Sequence, residues 1–349
     1  MKKINFFAII LCFVITNSYC LADNIGTTPF NFLRLDTAPR PAAMGGAFVG
    51  LADDVNAINY NPAGLSGITN NEVLFMHTAW LQGIRQEYFA FATKKGFGGS
   101  LNIVDWGTIR RTTLSNKEGY GMDDYLIQDM AVTAGWGEEV KENISYGINL
   151  KYISENIDFV KAESIGIDIG GIYQTPYEPL RLGAVLQNLG TRAKYKTTQE
   201  NLPLDLKLGT SLTLPERNLI LALDSTFARD TDLIINFGAE YLCFDILALR
   251  VGYNGRNQSD SGATFGLGIN SKLGVFDCSF APYGDLGSTY KISLKLFFHP
   301  APGTPQPSNI VIEPPIQEIT VEPVEPEIPI QEPLPPQEIF EVSPSTTTP

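Results

Sequence analysis

Alternation of apolar and polar residues runs along the chain from residue 71 to residue 298. In the clearest stretch leucines occupy one side and small or polar residues the other: Leu204, Leu206, Leu208, Leu212 and Leu214 against Asp205, Lys207, Gly209, Ser211 and Thr213. Successive side chains of a β-strand point to opposite faces, so this period of two indicates strands with one apolar and one polar face.

Turn-forming residues divide this region into fourteen predicted strands, at 71–80, 85–94, 97–106, 125–137, 143–154, 163–175, 179–188, 203–214, 217–228, 231–243, 245–253, 262–271, 274–281 and 287–298. Their lengths approach the ~9–11 residues that cross a bilayer at a tilt. An even number of such strands is typical of a bacterial transmembrane barrel.

The connections between these strands alternate in length. Residues 94–97, 137–143, 175–179, 215–217, 243–245 and 271–274 are short, residues 107–124, 155–162, 189–202 and 254–261 are longer, and 81–84 and 229–230 are short exceptions. Outer-membrane barrels have short periplasmic turns and longer outer loops. We therefore predict an all-β fold, a 14-stranded antiparallel transmembrane β-barrel over residues 71–298, with both termini periplasmic. A soluble β-sandwich, the alternative, does not explain the alternating connections.

The first residues have the features of an export signal. Met1, Lys2 and Lys3 precede an apolar run that ends at Ile15. We predict a signal peptide at residues 1–22, cleaved after Ala22, and hence the bacterial outer membrane as the location. Acylation of Cys20 is the alternative, which Tyr19 disfavours. After residue 22 no apolar run reaches the ~20 residues of a membrane-spanning helix, so spanning would require a closed barrel.

The chain ends in a segment of different composition, residues 299–349. Fourteen of the 23 prolines and eight glutamates lie from Pro300 onward, so much of the net charge of −13 belongs there. Such density of proline predicts a disordered, extended periplasmic tail. The tail is either a spacer or a docking arm for a periplasmic or cell-wall partner. Nucleic-acid binding is not expected, because it needs a basic surface.

Few residues offer chemistry. The two histidines, His77 and His299, cannot supply a triad or a clustered metal site. We predict no enzyme activity, no metal and no cofactor. Cys243 and Cys278 lie three predicted strands apart, which favours two free thiols over a disulfide.

The N-terminal residues 23–70 do not alternate and are rich in small residues, as expected of a segment packed inside a barrel. Three stretches stand out: Arg40-Pro-Ala-Ala-Met-Gly-Gly-Ala-Phe48, Ala52-Asp-Asp54 and Asn59-Tyr-Asn-Pro-Ala-Gly64. In these the sequence resembles the PorV/PorQ family of outer-membrane proteins, relatives of the FadL long-chain fatty-acid transporters. The resemblance implies an N-terminal hatch inside the lumen, carried by Arg40, Pro41, Met44, Gly45, Gly46, Asp53, Asp54, Asn59, Asn61, Pro62, Ala63 and Gly64.

Parts of this pattern allow specific expectations. We expect Asp53 and Asp54 to cap a turn and pair with lumen arginines such as Arg181 or Arg250; a metal site is the alternative. Residues 61–64 predict a turn, in which asparagine before proline is extended and Gly64 has a positive φ. The glycines Gly98-Gly99, Gly170-Gly171, Gly266 and Gly268 mark either a strand kink or small side chains facing the hatch.

The resemblance implies two roles for a non-enzymatic outer-membrane barrel in contact with membrane lipids, and the tail adds a third. The first is protein secretion and surface attachment of the type IX kind, with secretion-system proteins as partners. The second is a FadL-like channel for long-chain fatty acids or other hydrophobic ligands. The third is a structural anchor that tethers the membrane through residues 300–349.

Overall fold

The computed structural model describes residues 28–298, so the predicted signal peptide, the predicted tail and His299 lie outside the described residues. Within them the strands are β1 Asn71–Ala79, β2 Arg85–Ala92, β3 Phe97–Ile109, β4 Tyr125–Lys141, β5 Ile144–Ile157, β6 Val160–Gln174, β7 Leu180–Gly190, β8 Ala193–Tyr195, β9 Thr198–Glu200, β10 Asp205–Leu214, β11 Leu219–Ala228, β12 Ile234–Cys243, β13 Leu247–Asn254, β14 Ala263–Asn270, β15 Gly274–Pro282 and β16 Ser288–Phe298.

Fourteen of these strands form a closed antiparallel barrel, in the order β1 to β7 followed by β10 to β16. The barrel closes where β1 pairs with β16, with Asn71 opposite Phe298. This confirms the predicted fold class and strand number. No helix within residues 28–298 is long and apolar enough to cross a membrane.

Two connections differ from the prediction. Residues 155–162 were expected to form a long loop, but β5 and β6 continue pairing up to Ile157 and Val160, which leaves a two-residue turn at Asp158 and Phe159. The predicted strand ended where the alternation of apolar residues ends, but backbone pairing with β6 continues through residues 153–157. The predicted loop 189–202 holds the small hairpin β8–β9. We call the rim with residues 110–124 and 191–204 the loop end, and the opposite rim the turn end.

The two faces of the wall differ as the alternation predicts. Along β10, Leu206 and Leu208 are exposed on the outside, whereas Asp205, Gly209 and Ser211 are buried inside. The other strands repeat this, so large apolar side chains form a belt around the outside. An apolar surface of this extent is suited to lipid and not to water.

Aromatic side chains group at both ends of the barrel. At the loop end Trp80 lies 6.2 Å from Trp106 and 6.4 Å from Tyr283, between ring centroids, on the lumen side of the wall, where Trp106 Nε1 donates to Asp129 Oδ2 at 2.7 Å. Trp136 and Tyr146 are 5.5 Å apart at the turn end, where this pair lies on the outside. Such rings are enriched where a membrane protein meets the interfaces of the bilayer. Cys243 and Cys278 are both free, on β12 and β15, as predicted.

The described part of the hatch, residues 28–70, lies inside the barrel. It contains α1 Pro39–Ala43, α2 Ala57–Tyr60 and the 3₁₀ turns Asn31–Arg34 and Pro62–Gly67. Most of its buried apolar side chains form one cluster with inward residues of the wall, such as Leu74 and Ala222. Met44, Phe48 and Ile58 are fully buried in it. The small residues of the hatch therefore allow one segment to fill a narrow lumen.

Inward glycines let the wall approach the hatch backbone. A Cβ atom on Gly147 would lie 2.3 Å from the carbonyl carbon of Pro62, and one on Gly252 would lie 2.3 Å from the Gly45 nitrogen. Of the glycines predicted to mark a kink or small inward side chains, Gly98, Gly170 and Gly266 face the hatch, and Gly268 faces Arg250 and Asp277. The strand pairing continues through them. Small size, and not a kink, explains these four positions, whereas Gly99 and Gly171 do not face the hatch.

We predict that Gly147→Ala lowers the free energy of unfolding by about 1–3 kcal/mol, because an added methyl group overfills this contact. Gly171→Ala is the matched control, since the nearest atom to its Cβ would be 3.8 Å away. Urea unfolding in phospholipid vesicles measures both. Equal losses in the two variants would contradict the role of close approach.

Candidate functional site

Arg40 is the centre of a buried ionic cluster in the lumen. It lies in α1 with only 2% of its surface exposed. Its guanidinium donates to Glu240 Oε2 at 2.9 Å, to Asp53 Oδ1 at 2.6 Å and to Asp54 Oδ2 at 3.0 Å. Two of these acids belong to the hatch and one to β12. A single side chain therefore joins two turns of the hatch to the wall.

Further charges extend this cluster around the turn end. Arg250 on β13 donates to Glu240 Oε2 at 2.5 Å and to Asp277 Oδ1 at 2.6 Å. Lys295 on β16 donates to Asp54 Oδ2 at 2.8 Å. We call the whole set the anchor network: Arg40, Asp53, Asp54, Glu72, Glu240, Arg250, Asp277 and Lys295. It also fixes the hatch backbone, because Glu72 on β1 accepts the Val55 N–H at 2.8 Å.

The charges of the hatch members follow from their surroundings. Burial would lower the pKa of the Arg40 guanidinium, but Asp53, Glu240 and Asp54 raise it well above its ordinary value. Burial would raise the pKa of Asp54, but Lys295 and Arg40 outweigh it and hold that pKa below the ordinary range. Arg40 and Asp54 are therefore ionised, and each depends on its partners to remain so in a dry lumen.

The two aspartates pair with an arginine in the lumen, but not with either of the two arginines named in the prediction. Both pair with Arg40 from their own segment, and Asp54 also pairs with Lys295. Arg181 instead donates to the Leu51 carbonyl at 2.7 Å, and Arg250 reaches the network through Glu240. The alternation identified inward arginines but could not show that the hatch supplies its own. Asp54 does cap a turn, accepting the Asn56 N–H at 2.9 Å.

Metal binding receives no support at this site. Within residues 28–298 no group of three or more histidine, cysteine, aspartate or glutamate side chains is arranged to hold a metal ion. The carboxylates around Arg40 are directed at cations of the chain itself. The arrangement is therefore suited to holding the hatch and not to binding an ion from outside.

The Asn61–Gly64 stretch forms the second attachment of the hatch. Asn61 is extended, with φ −157°, and its Oδ1 accepts the Ala63 N–H at 3.2 Å. Its Nδ2 donates to the Val49 carbonyl at 3.0 Å. The positive φ predicted for Gly64 was wrong, since Gly64 lies in a 3₁₀ turn. Glycine is required there because a Cβ would lie 2.0 Å from the Ala52 oxygen.

The other motif glycines do have positive φ. Gly45 and Gly46 have φ of 66° and 83° where the chain leaves α1. This region favours glycine. Met44 packs between the wall glycines Gly238 and Gly252. Pro41 is buried in α1, and the Asn59 carbonyl accepts from Gln187 Nε2 at 2.8 Å. All twelve motif residues thus lie in the described hatch.

Several wall residues that hold the hatch were not predicted. Asp224 accepts the N–H groups of Phe48 and Val49 at 2.7 and 2.9 Å. Thr264 donates to the Ala43 carbonyl at 2.9 Å, and Asn149 donates to the Ile58 carbonyl at 2.7 Å. The signal in the sequence was only that they are polar residues at inward positions. Their partners are bare backbone groups, which leave no pattern in the sequence.

The loop end of the lumen is different in character. Apolar side chains from the hatch, the wall and the β8–β9 region pack together there: Phe30, Phe32, Val104, Ala131, Ile153, Ala162, Ala193 and Leu202. We call this set the mouth cluster. Beside it Arg34 joins Asp205 and Asp230, each at 2.6 Å. The hatch is therefore held by charges at the turn end and by apolar contacts and one arginine at the loop end.

Comparisons with known proteins agree with this architecture. The model of a family described as "Uncharacterised protein family (UPF0164)" matches residues 20–155 of the 349. No curated protein matches the sequence. The structure is similar to the CymD monoaromatic hydrocarbon channel, at 13% identity and a TM-score of 0.51, over 75% of this chain and 98% of that one.

A second similar structure is the TodX monoaromatic hydrocarbon channel deltaS2 mutant, at 14% identity and a TM-score of 0.51, over 76% of this chain and 100% of that one. At these identities the similarity concerns the fold. The closed barrel, its apolar belt and these matches define the class of the protein, a transmembrane β-barrel of the outer-membrane type. The relationship to PorV/PorQ stays a prediction.

We predict that Arg40→Met lowers the free energy of unfolding by about 3–5 kcal/mol, because it leaves buried carboxylates unpaired. Adding Glu240→Met should recover part of that loss. The control is Lys161→Met, which removes a surface pair with Glu163 whose side chains are about half exposed. Urea unfolding and protease cleavage of the hatch measure the effect. A loss no larger than in the control would contradict the anchoring role.

Proposed function

We propose that the protein is an outer-membrane channel for hydrophobic molecules, of the FadL type, which the hatch holds closed in this conformation. The fold shared with two proteins described as monoaromatic hydrocarbon channels supports this. In this proposal the loop end faces outward and both termini are periplasmic, as the long connections suggest.

The mouth cluster carries the proposal. Elsewhere in the barrel many inward positions are polar, including Asn149, Lys151, Asp168 and Lys291, and the apolar ones, such as Leu74 and Ala222, are covered by the hatch. At the loop end, by contrast, Val104, Ile153 and Leu202 meet the rings of the hatch. An apolar entrance favours apolar molecules over hydrated ones, whose polar groups would lose water there without new partners.

Phe30 and Phe32 occupy the place that such a molecule would take. Phe30 packs against Tyr195 with ring centroids 6.3 Å apart, and against Phe32 at 6.4 Å. The backbone of Phe30 is left-handed, with φ 58°, which is unfavourable for a bulky residue. An aromatic solute that displaced the Phe30 ring would make similar contacts with Tyr195 and Phe32, and the displacement would release this backbone strain.

We predict that Phe30→Ala speeds the entry of toluene. Displacing a buried aromatic ring costs about 1.5–3 kcal/mol. Removing that cost should raise the rate by roughly 10- to 100-fold. Initial uptake of radiolabelled toluene, in cells whose only copy is the variant, measures it. Uptake of sucrose should not change.

Phe244→Ala is the control, because Phe244 lies in a turn and is 91% exposed. Toluene entry at the wild-type rate in Phe30→Ala, with the hatch shown by proteolysis to be intact, would contradict the proposal. So would equal stimulation of toluene and sucrose entry, which would indicate a leak.

A role in protein secretion and surface attachment is the second candidate. The anchor network favours it, because a hatch fixed by buried ion pairs suits a barrel that stays closed and presents its surface to secretion proteins. Deletion of the gene should then reduce the amount of surface-attached proteins in a type IX system. Unchanged secretion of every surface protein would remove this candidate.

The tethering role concerns residues 300–349, which lie outside the described residues. Truncation after Phe298 separates this role from transport. If the tail tethers, the truncated protein should keep toluene uptake and lose attachment between the membrane and the layers beneath it. Unchanged attachment would contradict tethering.

A further inference from the structure

Two ionisable residues interrupt the apolar belt near the loop end. His77 on β1 and Glu87 on β2 are direct cross-strand partners. His77 Nδ1 lies 2.7 Å from Glu87 Oε1, and the two side chains are 45% and 58% exposed on the outside of the barrel. They are positioned two residues inside the ends of their strands, at Ala79 and Arg85.

Such a pair is costly where lipid is expected. The next outward residues toward the middle of the wall are Phe75 and Phe89, whose ring centroids are 5.2 Å apart. Ionisable side chains on the lipid face of a barrel destabilise it in proportion to their depth. Ionisable groups retained within a membrane usually indicate a functional site.

A groove adjoins the pair on the outer surface. It has a volume of about 360 Å³ and opens outward. Apolar side chains from β16, β1, β2, β3 and β15 line it, including Phe75, Phe89, Leu101, Phe276, Ile292 and Leu294. His77 and Glu87 form its polar edge on the side of the loop end. A groove of this kind fits an acyl chain whose polar head lies at the histidine–glutamate pair.

The charges at this edge indicate the head group. Facing a carboxylate, His77 Nδ1 donates its hydrogen, so Glu87 Oε2 remains free to accept from a ligand. Arg85 lies on the same face as Glu87, two residues closer to the rim. Its side chain is 64% exposed and lies 4.0 Å from Asp105. The surface therefore offers an acceptor for a cation deeper in the belt and a donor for an anion nearer the rim.

We propose that this groove binds a phospholipid with a primary ammonium in its head group. The head group folds back along the rim, so that the phosphate accepts from Arg85 and the ammonium beyond it donates to Glu87, while one acyl chain lies between Phe75, Phe89 and Leu294. This site is separate from the lumen, so the proposal does not depend on what the barrel transports. A choline head group has no N–H to donate and is a poorer match.

Native mass spectrometry of the full chain in detergent tests the proposal. Phosphatidylethanolamine should bind roughly tenfold more tightly than phosphatidylcholine with the same acyl chains, which corresponds to one charge-assisted hydrogen bond. Glu87→Gln should abolish this preference, and Arg85→Gln should weaken the binding of both lipids. Phosphatidylglycerol, which has the phosphate but no ammonium, tests whether the phosphate alone is enough for binding at the groove.

Glu163→Gln is the matched control, because Glu163 is also an outward acid paired with a base, Lys161 at 2.5 Å, but lies on β6 away from the groove. It should keep the preference. A phosphatidylethanolamine with a photoreactive group on its acyl chain should label peptides of β1 or β2 in the wild type. Equal binding of the ethanolamine and choline lipids, an unchanged preference in Glu87→Gln, or labelling confined to other strands would each overturn the proposal.

Discussion

The buried guanidinium of Arg40 is the interaction on which the arrangement of the lumen depends. A charge in a dry interior costs several kcal/mol unless it is paired and hydrogen bonded. Arg40 meets this requirement with Asp53, Asp54 and Glu240, which come from the hatch and from β12 of the wall. The hatch cannot shift without separating these charges. The charges of the cluster are therefore balanced only when the hatch is in this position.

Much of the fold was predictable because one physical constraint acts on most of the wall. Most strands separate an apolar exterior from a polar lumen, so alternation is repeated along β5, β10 and β16 alike. The fourteen predicted strands are all present. The failures occur where this constraint ends. The β5–β6 turn and the β8–β9 hairpin lie at the loop end, where pairing continues without an apolar face to reveal it.

The site was predictable to a smaller degree. The small residues of the hatch and the isolated polar residues of the wall indicated that the two would meet, but not in which pairs. Gly64 is an example. The sequence predicts that glycine is needed there for a positive φ, whereas in the structure it is needed because a Cβ atom would collide with Ala52. Pairings such as Arg40 with Glu240 join residues that are 200 positions apart and meet only in the folded barrel, so a local sequence pattern cannot predict them.

The closing seam of the barrel sets an order on its assembly. One of the two pairing partners of β1 is β16, the last strand of the barrel. The charge partners of Arg40 and Asp54 lie on β12 and β16, about 200 residues or more along the chain. Contacts of such long range form late, since the loop they close must be ordered first. The hatch therefore reaches these charge partners only when β12 and β16 close around it. Capture of the hatch and completion of the wall are in this sense a single late event.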